Sequence, residues 1–268
     1  MDSQDILYTK ESGIATITLN RPDKMNALVP GIVEGMYTAL EDAVKDDEVR
    51  VLILTGAGKA FCAGADISGM AERREQRPEQ DSGAKNRGGG HSRLNWLSLP
   101  LQKCDKPIIA SINGVAVGGG LDIALACDIR IASDVARFSE IYIKRGLMPV
   151  QGGTFFLPRL VGVDKACQLL LTGDMIDAKE AERIGLVTTV VPHDELEGAT
   201  WDLAEKIANG PPATIRKIKR AIYDGLNMDL ESTLEYIGSI PRDDSTSSES
   251  REGIRAFAEK RQPYFGGN

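Results

Sequence analysis

Apolar and polar positions alternate from Ile14 to Asn20 (IATITLN), and this period of two, rich in β-branched residues, predicts a strand. The period then lengthens. Ile32, Val33, Met36, Tyr37, Leu40 and Val44 recur at three- and four-residue steps behind Pro30, which predicts a helix ending in the charged stretch Lys45 to Glu48. Val49 to Gly56 (VRVLILTG) is a continuous apolar run of strand length, the kind covered on both faces of a sheet. Pro107 to Gly114 and Asp128 to Ser133 repeat that character, with AVGGGLDIALACD between them. Strands separated by helices predict an α/β core.

Between Met70 and Arg93 the chain is crowded with charge, Gly and Gln and nearly devoid of apolar residues, so it cannot bury itself and is expected to form a mobile surface loop with His91 in solvent. After Gly162 the pattern becomes a succession of helices, closing with SREGIRAFAEKR. This tail is expected to fold back over the core or to dock on a neighbouring subunit. Residues 1–195 are thus read as the core and 196–268 as a helical C-terminal region.

Composition narrows the function. The 268 residues, 42% hydrophobic and 26% charged, suit an ordinary globular protein, and the net charge of −7 argues against a nucleic-acid partner, which needs a basic face. The N-terminal stretch lacks the basic and apolar regions of a targeting signal, and no segment is apolar enough to span a membrane. A cytoplasmic protein is expected. Cys62, Cys104, Cys127 and Cys167 are too far apart for a metal or redox pair and are read as buried thiols. His91 and His193 are the only histidines, and neither lies beside a nucleophile motif.

Two glycine-rich turns remain as candidate chemistry. Thr55 to Asp66 (TGAGKAFCAGAD) begins like a phosphate loop, but Ala60 follows the lysine where Ser or Thr is needed, and the third glycine of a dinucleotide fingerprint is missing. Gly114 to Arg130 carries three consecutive glycines ahead of a helical run. That arrangement suits backbone N–H donors aimed at a developing oxyanion, and equally a close helix-to-strand packing turn.

The ordered series RPDKMNAL (Arg21 to Leu28), KAFCAGADI (Lys59 to Ile67), KPIIASINGVAVGGGLDIALACDIRIA (Lys106 to Ala132), FSEIYIKRGLMPVQGGTFFLPRLVG (Phe138 to Gly162), LLLTGDMIDAKEAERIGLVTTVVP (Leu169 to Pro192) and AFAEKRQPYF (Ala256 to Phe265) resembles the enoyl-CoA hydratase/isomerase family, the crotonases, over nearly the whole chain. The resemblance implies an α/β fold, a spiral of ββα units with a helical C-terminal region, assembled as a homotrimer or a dimer of trimers. It implies that the substrate is an acyl-CoA thioester, with no further cofactor and no metal. Ala65 and Gly119 fall where the family's oxyanion donors stand. Two rigid N–H groups in a dry pocket favour an enolate over the ground-state carbonyl. Coenzyme A contacts carry over to Lys24, Ala27, Ala63, Asp66, Ile67, Phe257 and Lys260. Ser68 replaces a lysine that meets the nucleotide phosphate in relatives, a contact Lys260 or a basic loop residue could supply.

The catalytic positions depart from the hydratase pattern. Asp122 stands where hydratases carry their first glutamate, Tyr142 where they carry the second, and Val150 where dienoyl-CoA isomerases add an aspartate. Asp122, one helical turn beyond Gly119, is read as the main acid/base with Tyr142 assisting; the alternative for Asp122 is a helix-dipole aspartate. Glu140, two residues from Tyr142 and so on the far side of any helix, is not expected to replace the missing carboxylate. The leading reading is proton transfer at a thioester enolate. Double-bond isomerisation, hydration through Tyr142 or a bound water, C–C hydrolysis or decarboxylation, and an inactive acyl-CoA-binding oligomer all remain open.

Overall fold

The computed structural model describes residues 5–66, 97–240 and 247–266. Strands β1 (Ile6–Glu11) and β2 (Ile14–Leu19) form an antiparallel hairpin. Its two-residue turn places Ser12 and Gly13 at positive φ, 51° and 78°, as the right-handed twist of the flanking strands requires. The alternation beginning at Ile14 marks only β2. In β1 Ile6 alone is buried, so this strand leaves little apolar trace.

Strands β3 (Val51–Gly56), β5 (Ile108–Ile112), β7 (Ile129–Ser133) and β10 (Thr189–Val191) extend the sheet in the order β1-β2-β3-β5-β7-β10, parallel throughout except for β1. Short strands β4 (Ala60–Cys62), β6 (Val115–Val117), β8 (Arg137–Ser139) and β9 (Ile176–Asp177) make a second sheet, β4-β6-β8-β9. Each turn of the chain lays one strand in the large sheet and the next in the small one, as β3–β4, β5–β6 and β7–β8 show.

Both faces of the large sheet are covered, which explains its unbroken apolar runs. Helix α1 (Pro30–Lys45) buries Ile32, Met36 and Leu40 in the cluster that holds Leu52 and Leu54. Helices α2 (Ser98–Lys103) and α3 (Gly119–Leu125) pack on each other, α3 also on β4 and β6 of the small sheet, and are followed by α4 (Gly153–Val161), α5 (Val163–Thr172) and α6 (Ala178–Arg183). Helix α4 escapes sequence periodicity because it opens on glycines and contains Pro158. On the opposite face, α7 (Leu196–Ala208) packs Leu196, Ala204 and Ala208 against Ile14, Val51, Ile53, Ile109 and Ile131.

The tail continues as α8 (Pro212–Gly225), α9 (Leu230–Ser239) and α10 (Ser248–Glu259). Helix α8 is tied to the core through Asp128. Lys219 Nζ donates to Asp128 Oδ2 at 2.7 Å and to the Lys106 carbonyl at 2.9 Å, and Tyr223 Oη donates to Asp128 Oδ1 at 2.7 Å. Cys62, Cys104 and Cys127 are buried as free thiols. Cys167 is exposed on α5, which corrects the expectation that all four are buried.

Candidate active site

A cavity of about 310 Å³ opens where the two glycine-rich turns meet. The first contribution to it is Arg21 to Leu28, held against the β3–β4 loop by the buried side chain of Asn26. Asn26 Oδ1 accepts from the Arg21 N–H at 2.8 Å, and Nδ2 donates to the carbonyls of Ala57 and Ala60 at 3.0 and 2.7 Å. This clamp turns Lys24 and Ala27 toward the cavity.

Leu28 forms an isolated parallel bridge with Ala65: the Leu28 N–H donates to the Gly64 carbonyl at 2.8 Å and the Asp66 N–H to the Leu28 carbonyl at 3.2 Å. The amide of Ala65, between these two bonds, points away from that ladder. Gly64 has φ +80°, and a Cβ on it would lie 2.8 Å from the Val117 carbonyl oxygen and 3.2 Å from the Gly119 nitrogen. Only glycine lets the two turns approach so closely. Gly119 opens α3, so its N–H has no acceptor within the helix. Ala65 and Gly119 therefore line one cavity as two backbone donors held by rigid neighbours.

Behind Gly119 stands Asp122, 0% exposed. Its Oδ2 accepts a 2.6 Å hydrogen bond from Tyr142 Oη, and the same hydroxyl lies 3.5 Å from where a Cβ on Gly119 would sit. Tyr142 lines the cavity and Asp122 does not, so the phenol faces the cavity and the carboxylate lies behind it. Burial pushes the Asp122 carboxyl well above the usual carboxylate range, toward neutrality, against the pull of the Tyr142 hydroxyl. Burial and the adjacent Asp122 charge push the Tyr142 phenol far up, so it stays protonated.

Helical geometry puts Glu140 on the far side from Tyr142, yet it turns inward. It precedes the 3₁₀ turn Ile141–Arg145 instead of lying within it, with φ −84° and ψ 61°, so counting degrees around a helix axis misplaces it. Its side chain is 1% exposed, neither carboxyl oxygen has a hydrogen-bond partner, and burial followed by the Asp122 charge raises its pKa strongly.

Of the residues matched to coenzyme A contacts, Lys24, Ala27, Ala63 and Asp66 share the cavity. Ile67 lies outside the described residues, as do Ser68, His91 and the surface loop expected from Met70 to Arg93. Phe257 and Lys260, at the end of α10, are not among the residues lining the cavity. Arg145 is a lining cation that sequence reading did not single out; its place one turn after Ile141 and Tyr142 was the available signal.

The profile of the enoyl-CoA hydratase/isomerase family matches residues 9–268. A short-chain-enoyl-CoA hydratase of Clostridium acetobutylicum is 38% identical over 98% of this chain and 97% of its own. The 1,2-epoxyphenylacetyl-CoA isomerase of Escherichia coli K12 is 35% identical over 98% of each chain. The crystal structure of an enoyl-CoA hydratase from Bacillus anthracis superposes with a TM-score of 0.83 at 36% identity, covering 99% of this chain and 100% of that one.

Proposed function

We propose that this chain, which belongs to the enoyl-CoA hydratase/isomerase family, moves a proton reversibly beside an acyl-CoA thioester, with Tyr142 as the contacting group and Asp122 as the base behind it. The observation that carries the reading is the 2.6 Å hydrogen bond from Tyr142 Oη to Asp122 Oδ2 at the wall of the cavity that holds Ala65 and Gly119. Tyr142 Oη accepts a proton from a substrate carbon as it passes its own proton to Asp122 Oδ2. The C–H electron pair becomes the enolate, whose oxygen takes hydrogen bonds from the Ala65 and Gly119 N–H groups. Return of the proton to a different carbon shifts the double bond.

Among the described residues, Tyr142 is the one proton-transfer group of this network that lines the cavity, and one shuttling group suffices for isomerisation. Hydration is the second reading, favoured by the likeness to the Clostridium hydratase. In heavy water the protein is expected to exchange the α-protons of saturated acyl-CoAs and to interconvert 2-enoyl and 3-enoyl thioesters. Exchange of no acyl-CoA sinks the proton-transfer reading, and faster conversion of a 2-enoyl thioester to its 3-hydroxyacyl product replaces isomerisation by hydration.

The coenzyme A part of the substrate supplies the binding energy, and the reaction uses no further cofactor. Lys24 and Arg145 are the cations placed to meet its phosphates, with Ala27, Ala63 and Asp66 around them. Among the described residues no group of three or more His, Cys, Asp or Glu side chains could hold a metal, and no helix is long and apolar enough to cross a membrane.

Assembly in multiples of three is part of the same reading. Helices α8, α9 and α10 leave Ile218, Ile222, Leu230, Leu234, Ile254 and Phe257 in solvent, with Phe257 87% exposed. Pairs spaced three or four residues apart on three successive helices are apolar surface of the kind a neighbouring subunit would cover. Docking of that face would bring Phe257 and Lys260 to a neighbour's cavity. Light scattering is expected to give a trimer or hexamer; a stable monomer at micromolar concentration removes this part.

A further inference from the structure

Gly153 marks a place where two acids meet. A Cβ on Gly153 would lie 2.5 Å from Asp122 Oδ1 and 2.8 Å from Glu140 Oε1, so both carboxyl groups press against the same bare stretch of backbone at the start of α4. Among the described residues neither oxygen of Glu140 has a hydrogen-bond partner, and Asp122 Oδ1 makes no hydrogen bond of full geometry, with only the backbone of Gln151 and Gly153, besides Tyr142, acting on that carboxylate. Two empty acceptors on Glu140 and a poorly met one on Asp122 would each cost free energy, and two like charges so close would add repulsion.

One proton resolves both problems. We propose that Glu140 is a positioning residue held as the neutral acid, its proton donated to Asp122 Oδ1, so that the pair carries one proton and one negative charge and keeps that charge on the carboxylate bonded to Tyr142. The inference rests on the proton-transfer reading above for its link to turnover, but not for the pair itself. The N-terminus of α4 complements one negative charge and not two. The groups that face the pair are Tyr142, from the turn after Glu140, and the backbone of Gln151 and Gly153 at the start of α4. Cys62 from β4 acts on Tyr142, but burial pushes its thiol up to about 12, so it is neutral. Helix α4 contributes backbone at Gly153, and its one charged side chain, Arg159, lies over the Phe155 ring 3.7 Å from the ring centroid.

With Glu140 donating, Asp122 has both oxygens satisfied in its ionised form, and its pKa is lower than burial alone would set it. Glu140→Gln keeps a donor without a titrating proton, whereas Glu140→Leu keeps the volume and removes the donor. Glu140→Gln is therefore expected to retain about tenfold more turnover than Glu140→Leu, the size of one lost hydrogen bond. The acid limb of the pH–rate profile should stay in place with Gln and move to higher pH with Leu. Equal profiles for the two variants would mean that Glu140 only fills space.

A second measurement reads no turnover. Infrared difference spectra at neutral pH should show the C=O stretch of a buried protonated carboxyl in the wild type and in Asp122→Asn, and lose it in Glu140→Gln. A band that survives in Glu140→Gln and vanishes in Asp122→Asn puts the proton on the wrong acid, and no band in the wild type overturns the pair. Failure here leaves the solvent-exchange test standing, and failure of solvent exchange leaves the spectra standing, so the two ideas fall separately.

Discussion

Tyr142→Phe is expected to lower turnover by about 10²- to 10⁴-fold while leaving acyl-CoA affinity within a few-fold, the range for losing a general acid–base group. From sequence, Tyr142 reads as an assistant to Asp122, and its loss would then cost about one hydrogen bond. The structure changes the expected size because the phenol stands between Asp122 and the cavity. Phe keeps the ring that packs on Gly118, so the cavity wall stays in place. Asp122 is left without a path to substrate. Kinetics of α-proton exchange with the variant, with binding measured separately by calorimetry, decide the matter. A loss of only a few-fold would show that Asp122 reaches the substrate through water.

Asp122→Asn should lose activity over the same range and gain stability at the same time. In the folded protein burial raises the Asp122 pKa above its unfolded value, so the ionised form is disfavoured by folding. The linked stability is fully present below the unfolded pKa of about 3.9 and is lost as pH rises toward neutrality. Above neutrality the wild type therefore carries an internal charge that opposes folding, and asparagine removes it. At pH 8 the variant is expected to exceed the wild type by on the order of 1–3 kcal/mol. The gain should shrink toward pH 4, where Asp122 is protonated. Urea unfolding at both pH values tests this, and an equal or lower stability of the variant at pH 8 would contradict it. In the wild type, turnover should fall as pH drops below neutrality, because protonated Asp122 cannot take the proton from Tyr142.

The parts legible in sequence are those whose burial is uniform over several residues. Val51–Gly56 and Ile108–Ile112 lie in the middle of the large sheet and read as apolar runs. The second sheet does not read so, since β4, β6 and β8 are each three residues long, too short to show a period. The family resemblance in the glycine turns located Ala65 and Gly119, and the structure lines one cavity with both. A helical count turns Glu140 outward because it supposes a helix where a strand ends. Phe138 and Ser139, the last residues of β8, are both buried, and the inward run carries on through Glu140 before the turn begins. A charged residue closing a buried run was the signal.

Helix α3 carries Gly119 at one end and Asp122 at its middle, and Asp128 follows three residues after its other end, gripping Lys219 and Tyr223 of α8. Gly119 and the tail are thus fastened to opposite ends of one rod, about 10 Å long at 1.5 Å per residue. In the proposed assembly, free energy that a neighbouring subunit spends on ordering α8 would be felt at Gly119, and thermodynamic reciprocity would then require thioester binding to tighten assembly by the same factor. Dilution should weaken acyl-CoA affinity, and saturating acyl-CoA should shift the dissociation midpoint to lower protein concentration; an affinity independent of protein concentration across that midpoint would uncouple the two ends.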